Sequence, residues 1–208
     1  MVLGMIKILG IVIFLYLIWR NLNEDYQDNL LISYGWSSVL VLLVGGSILT
    51  NFNFAGWWQF WRVQNTNLGG GIGLAFLWTW WCCVRYGWKL WSFLEDVLPI
   101  YYLFVCFIWV SEKVGQTFGW KNILVLLILV GGYLLSNLMR DKYRSFVWYK
   151  SGKKGFVFFF VNIWLCLALA TMAFFGDSNW LAAGFYIIMS LIFGVGLGIL
   201  GDVYGAKK

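Results

Sequence analysis

The chain has 208 residues, of which 62% are hydrophobic, 21% aromatic and only 12% charged. Soluble domains are about 25% charged and about 45–50% apolar, so this composition excludes an ordinary water-soluble or disordered chain and predicts a polytopic helical membrane protein. The net charge of +6 is no pointer to nucleic acid in such a chain, because basic residues there first mark the cytoplasmic side.

A hydrocarbon core of about 30 Å needs about 20 apolar residues per helix. Seven stretches qualify, at 4–19, 30–50, 68–86, 93–111, 121–139, 155–175 and 180–200. The expected fold class is therefore all-α, a single integral membrane domain over 1–208 with about seven spans. In the first stretch Lys7 leads an apolar core, as in a signal peptide. Trp19-Arg20-Asn21 offers no small-residue cleavage pattern, so a retained helix is expected.

After the second stretch, residues 51–67 mix aromatic residues with amides and read as a re-entrant or interfacial piece. They lead into Leu68-Gly69-Gly70-Gly71-Ile72-Gly73. Backbone N–H groups of such a run can cradle a lipid phosphate, with Arg62, Asn65 and Asn67 beside it. The same glycines can equally serve close helix packing, and the two readings stand side by side.

The fourth stretch opens on Ser92-Phe93-Leu94-Glu95, a capping-box pattern, and Glu95 with Asp96 suits the positive end of the helix dipole. Ser92, Glu95 and Asp96 are thus expected to be a structural cap, and Pro99 to bend the helix slightly deeper in. Glu112-Lys113 falls in the loop after this stretch, as an interfacial pair. The last stretch contains Gly196-Leu197-Gly198-Ile199-Leu200-Gly201, a formal dinucleotide-binding pattern in the wrong context. No strand precedes it, and Gly194 with Gly198 fits helix packing instead.

Orientation follows from the basic residues. The turns after spans one, three, five and seven hold Arg20, Arg85, Lys89, Arg140, Lys142, Arg144, Lys150, Lys153, Lys154, Lys207 and Lys208, against Lys7, Arg62, Lys113 and Lys121 on the other side. That bias predicts N-out, C-in. Trp19, Trp36, Trp88, Trp91, Trp109, Trp120, Trp148 and Trp180 lie near span ends and read as an interfacial belt. The basic and aromatic run 146–150 is expected to meet anionic lipid rather than nucleic acid.

Histidine is absent, which removes imidazole as base, relay or metal ligand. Cys82, Cys83, Cys106 and Cys166 lie in apolar stretches without a C-x-x-C pair, and buried inert thiols are expected. The site reading therefore includes no metal and no cofactor.

The order of these features resembles the prolipoprotein diacylglyceryl transferase family. Gly45-Gly46 ends span two, an outer aromatic segment follows, and Gly69-Gly70-Gly71-Ile72-Gly73 opens span three. Then come a short basic turn at Arg85-Tyr86-Gly87-Trp88-Lys89, an acidic-to-proline start at Glu95-Asp96-Val97-Leu98-Pro99, and a basic loop through Ser151-Gly152-Lys153-Lys154-Gly155. The resemblance covers residues 33–165. Leu68 stands where that family carries the histidine of a His-Gly-Gly, Phe107-Ile108-Trp109-Val110-Ser111 replaces its Gly-Arg-x-Gly-Asn, and its arginine near the outer end of span six has no counterpart.

The resemblance implies seven spans with N-out and C-in topology in a bacterial cytoplasmic membrane. It also implies transfer of a diacylglyceryl group from phosphatidylglycerol to a cysteine of a lipoprotein precursor. Arg62, Asn65, Asn67, Gly69 and Gly70 would then grip the lipid, and Glu112 and Lys113 are the groups left to act catalytically. The alternative is a non-catalytic lipid- or protein-binding membrane scaffold of the same fold.

Overall fold

The computed structural model describes residues 2–50, 68–113, 119–146, 149, 154–175 and 180–201. Among them the chain is helical throughout, without a strand: α1 (Val2–Leu22), α2 (Asp28–Thr50), α3 (Leu68–Tyr86), α4 (Leu90–Lys113), α5 (Trp120–Lys142), α6 (Phe156–Phe175) and α7 (Trp180–Leu200), with a 3-10 turn at Tyr143–Ser145. Six of these seven helices are long and apolar enough to cross a membrane. The other is α3, where Gly69, Gly70, Gly71 and Gly73 and three tryptophans dilute the apolar content of 19 residues.

Exposure runs opposite to that of a soluble protein. Met5, Ile8 and Val12 of α1 are exposed, and on α7 Leu181 is 89% and Leu191 66% exposed. Apolar surface on this scale has no place in water. In a bilayer it is the outer wall, and the chain is an integral membrane protein.

The chain divides into two compact units: Met1–Leu90 with Phe107–Val114, and Trp91–Cys106 with Gly115–Lys208. In the first unit α2 packs on α1 and α3 around buried Phe14, Ile18, Leu31, Tyr34 and Leu42. Missing side chains allow the close approach. A Cβ on Gly71 would lie 2.6 Å from the Leu42 carbonyl oxygen and 3.4 Å from Gly46 Cα, and one on Gly45 would meet Leu74. Among the described residues two polar pairs cross this interface, and in one of them Trp78 donates from Nε1 to Ser37 Oγ at 2.9 Å. Thr79 gives its single hydroxyl proton to the Ala75 carbonyl at 2.8 Å, so Tyr34 is the donor in the buried 2.8 Å bond to Thr79 Oγ1.

In the second unit α6 packs on α5 and α7, and Phe93, Val97, Tyr102, Phe104, Leu129, Phe156 and Val157 fill the core. Gly132 leaves room for Tyr102, whose hydroxyl would be 2.5 Å from a Cβ there and donates to the Ile128 carbonyl at 3.4 Å. On α7 the close-packed glycine is Gly196, against the Phe159 ring, while Gly194 has open space around it. Of the expected pair, Gly194 therefore does not pack closely, and Gly196 is the glycine set against α6.

Helix α4 runs on through Pro99 to Lys113, two residues past its expected end. Glu112 and Lys113 therefore form its last turn and not a loop; the Glu112 side chain lies outside the described residues. Pro99 has no N–H to give to the carbonyl four residues back, that of Glu95, which is thereby released from the helix ladder. Trp109, expected in the interfacial belt, is 3% exposed and belongs to the core, whereas Trp36, Trp91, Trp120 and Trp180 are exposed as expected. All four cysteines are buried and unpaired.

Candidate functional site

Polar side chains converge where the first turns of α4, the last turn of α5 and the start of α6 meet, all within the second unit. Positions i, i+3 and i+4 share one face of a helix, so the beginning of α4 presents Ser92, Glu95 and Asp96 together. The last turn of α5 supplies Arg140 and Asp141, and the turn after it supplies Tyr143 and Arg144. Lys154 comes just before α6. These residues line a cavity of about 350 Å³.

Glu95 is its anchor. The side chain is only 6% exposed, and both carboxyl oxygens accept hydrogen bonds. Tyr143 donates to Oε2 at 3.1 Å, and the Gly155 backbone N–H donates to Oε1 at 2.5 Å. A buried carboxyl group costs several kcal/mol unless its oxygens are satisfied (roughly 2–7 kcal/mol for a neutral polar group, more for a charge). The two donors come from the segments before and after the basic loop, so the acid ties both to α4. Tyr143 is itself 1% exposed, stacked on Phe156 at 5.0 Å between ring centroids and edge-on to Tyr149 at 5.5 Å.

The cations are held less tightly. Arg144 lies over the Tyr143 ring at 5.6 Å and donates from Nε to its hydroxyl at 3.3 Å. Lys154 donates from Nζ to Ser92 Oγ at 2.8 Å. Arg140 sits 3.6 Å from Asp141, whose side chain is 76% exposed; solvent screens such a pair to a small contribution.

The capping box expected at Ser92 and Glu95 is replaced by these contacts. Helix α4 starts at Leu90, two residues ahead of the expected cap, so Ser92 is already inside the first turn and accepts from Lys154. Glu95 reaches across to Gly155 and Tyr143 rather than back along its own helix. Asp96 lies on the cavity wall. The run 146–150 also differs from expectation at Tyr149, which is buried and folds back on the unit; Trp148 lies outside the described residues.

The lipid-gripping residues expected on the outer side divide. Arg62, Asn65 and Asn67 lie outside the described residues. Gly69 and Gly70 are in the first turn of α3, both half-buried. Lys113 ends α4, and neither it nor Glu112 is among the residues lining the cavity.

Charge alone makes residues 140–154 read as a basic loop, and no local spacing signals the partnership of Glu95 with Tyr143 and Gly155. Its trace in the sequence is Tyr143, Phe146, Tyr149 and Phe156 recurring through a charged stretch. Aromatic residues so spaced belong to a segment that returns to the core.

Fold and site together define a helical integral membrane protein with a braced, charged cup at one end of its second unit. No family model, no curated protein and no solved structure matches this chain.

Proposed function

We propose that this chain is a lipid-handling protein of the bacterial cytoplasmic membrane, oriented N-out and C-in. We propose further that it acts like the prolipoprotein diacylglyceryl transferases it resembles. Phosphatidylglycerol is the donor, a cysteine thiol of a lipoprotein precursor attacks the diacylglyceryl carbon, and glycerol phosphate leaves. Arg62, Asn65, Asn67, Gly69 and Gly70 grip the lipid phosphate, through the chemistry of guanidinium and backbone N–H donors. Glu112 and Lys113 are the residues left to assist the thiol.

One observation carries this reading: the motifs behind the resemblance meet in pairs within each unit. The glycine pair of α2 meets the glycine run of α3, at Gly46 and Gly71. The acidic start of α4 meets the end of the basic loop, at Glu95 and Gly155.

Supplying the gene to bacteria depleted of their own transferase tests the proposal. Restored growth and diacylglyceryl-modified lipoprotein are expected; unmodified precursor despite verified membrane insertion overturns the enzymatic reading. The second reading, a non-catalytic lipid- or protein-binding scaffold, is favoured by Glu95, whose two oxygens are both committed to holding the fold. Arg62→Ala separates the lipid-gripping role from packing: weakened phosphatidylglycerol binding supports the grip, and unchanged binding leaves the glycines of α3 a packing role alone.

A further inference from the structure

We infer that the cup between α4, α5 and α6 is a phosphate-binding site, built to take the phosphate of an anionic headgroup. It involves none of the residues assigned to lipid transfer and stands whether or not the chain transfers lipid.

The donors are countable. A guanidinium has five N–H donors and an ammonium three. Arg144 gives one, from Nε, to Tyr143, which leaves four on its terminal nitrogens. Lys154 gives one to Ser92, which leaves two. Arg140, on the same wall, is held among the described residues by the screened pair with Asp141. Two forked guanidinium groups and an ammonium facing one cavity suit a tetrahedral, multiply charged oxyanion better than a planar carboxylate, which a single fork satisfies.

The wall carries three acids beside its three cations, so the site has no excess of positive charge and its preference for an oxyanion rests on where the N–H donors point. Glu95 spends its oxygens on Tyr143 and Gly155, and the two residues it fixes are the neighbours of Arg144 and Lys154. It acts as a brace that sets the spacing of two cations. Asp141 is tied to Arg140. Preorganisation of this kind lowers the ordering cost of binding. The cup also lies at the C-terminal end of the apolar stretch Trp120–Ser145, and lipid phosphates lie just outside the hydrocarbon core that such a stretch crosses.

Isothermal titration of the full-length protein in a neutral detergent decides it. The probes are short-chain phosphatidylglycerol, inorganic phosphate, and diacylglycerol, which lacks the phosphate. Wild type is expected to bind phosphatidylglycerol saturably and diacylglycerol not at all. In the double variant Arg144→Gln with Lys154→Gln this affinity falls about tenfold or more, as the loss of charge-assisted hydrogen bonds implies. Both side chains are exposed, so the variant keeps its thermal midpoint. Lys142→Gln, also exposed but outside the cup, retains wild-type binding. If inorganic phosphate binds as tightly as the lipid, the phosphate comes from water; if it binds far more weakly, the ligand is the lipid. Equal affinity in wild type and the double variant, or equal loss in Lys142→Gln, overturns the site.

Discussion

Glu95 and Tyr143, 48 positions apart in the chain, are joined by a buried hydrogen bond of 3.1 Å, and the other oxygen of the same carboxyl group holds the backbone of Gly155. A side chain that the sequence offers as a local helix cap is thus the tie between three segments. Tyr143→Phe keeps the ring stack on Phe156 and removes only the hydroxyl. The unpaired oxygen left behind costs about 1–3 kcal/mol. Thermal unfolding in detergent, followed by circular dichroism, should show a lower midpoint for Tyr143→Phe and a still lower one for Glu95→Ala, which strands both donors.

Gly155 combines two constraints. Its φ of +119° lies where an L side chain is strained, and a Cβ there would come within 3.2 Å of Leu200 Cδ2. Gly155→Ala is therefore expected to lose about 1–3 kcal/mol and to disturb the N–H held by Glu95. A midpoint equal to wild type in the same melting experiment would contradict the backbone described for this turn.

The interface of α2 with α3 gives a paired test. A methyl group at Gly71 would meet the Leu42 carbonyl oxygen, a backbone atom that cannot step aside, whereas Gly73 has nothing within 4 Å. Gly71→Ala should destabilise by about 1–3 kcal/mol through overpacking. Gly73→Ala should be neutral or slightly stabilising, since alanine is the better helix former by about 1 kcal/mol. Equal midpoints for the two variants would refute the close approach.

Gly132 and Gly131 form a second such pair in α5. Only Gly132 faces the Tyr102 phenol, so Gly132→Ala must push that ring from its bond to the Ile128 carbonyl. Tyrosine fluorescence is masked by tryptophan here, so retention of folded protein on heating in detergent is the useful readout. Loss with Gly132→Ala and retention with Gly131→Ala is expected.

Apolar length made the helices legible. Stretches predicted at 68–86 and 180–200 coincide with α3 and α7, and the others differ by up to three residues at an end, where amphipathic residues such as Lys142 extend a helix beyond its apolar run. Packing partners were less legible. Gly194 and Gly196 are equivalent by composition, and only the position of Phe159 decides between them. The same holds for Trp109, whose place near a span end suggested the interface while its neighbours bury it. For the cup, the charges were visible but their convergence was not. It depends on a contact between positions 95 and 155, which no local spacing encodes, and on Tyr143 turning inward from a stretch that reads as polar.

The clasp on Glu95 also sets an order of events during synthesis. Its second donor lies 60 residues further along the chain, so at the usual pace of translation Glu95 is made roughly 3–12 s before Gly155 exists. Its first donor, Tyr143, is made 48 residues after it, so until then the carboxyl group has neither of its final partners. The clasp that ties the start of α4 to the segments flanking the basic loop can therefore close only after Gly155 has been made.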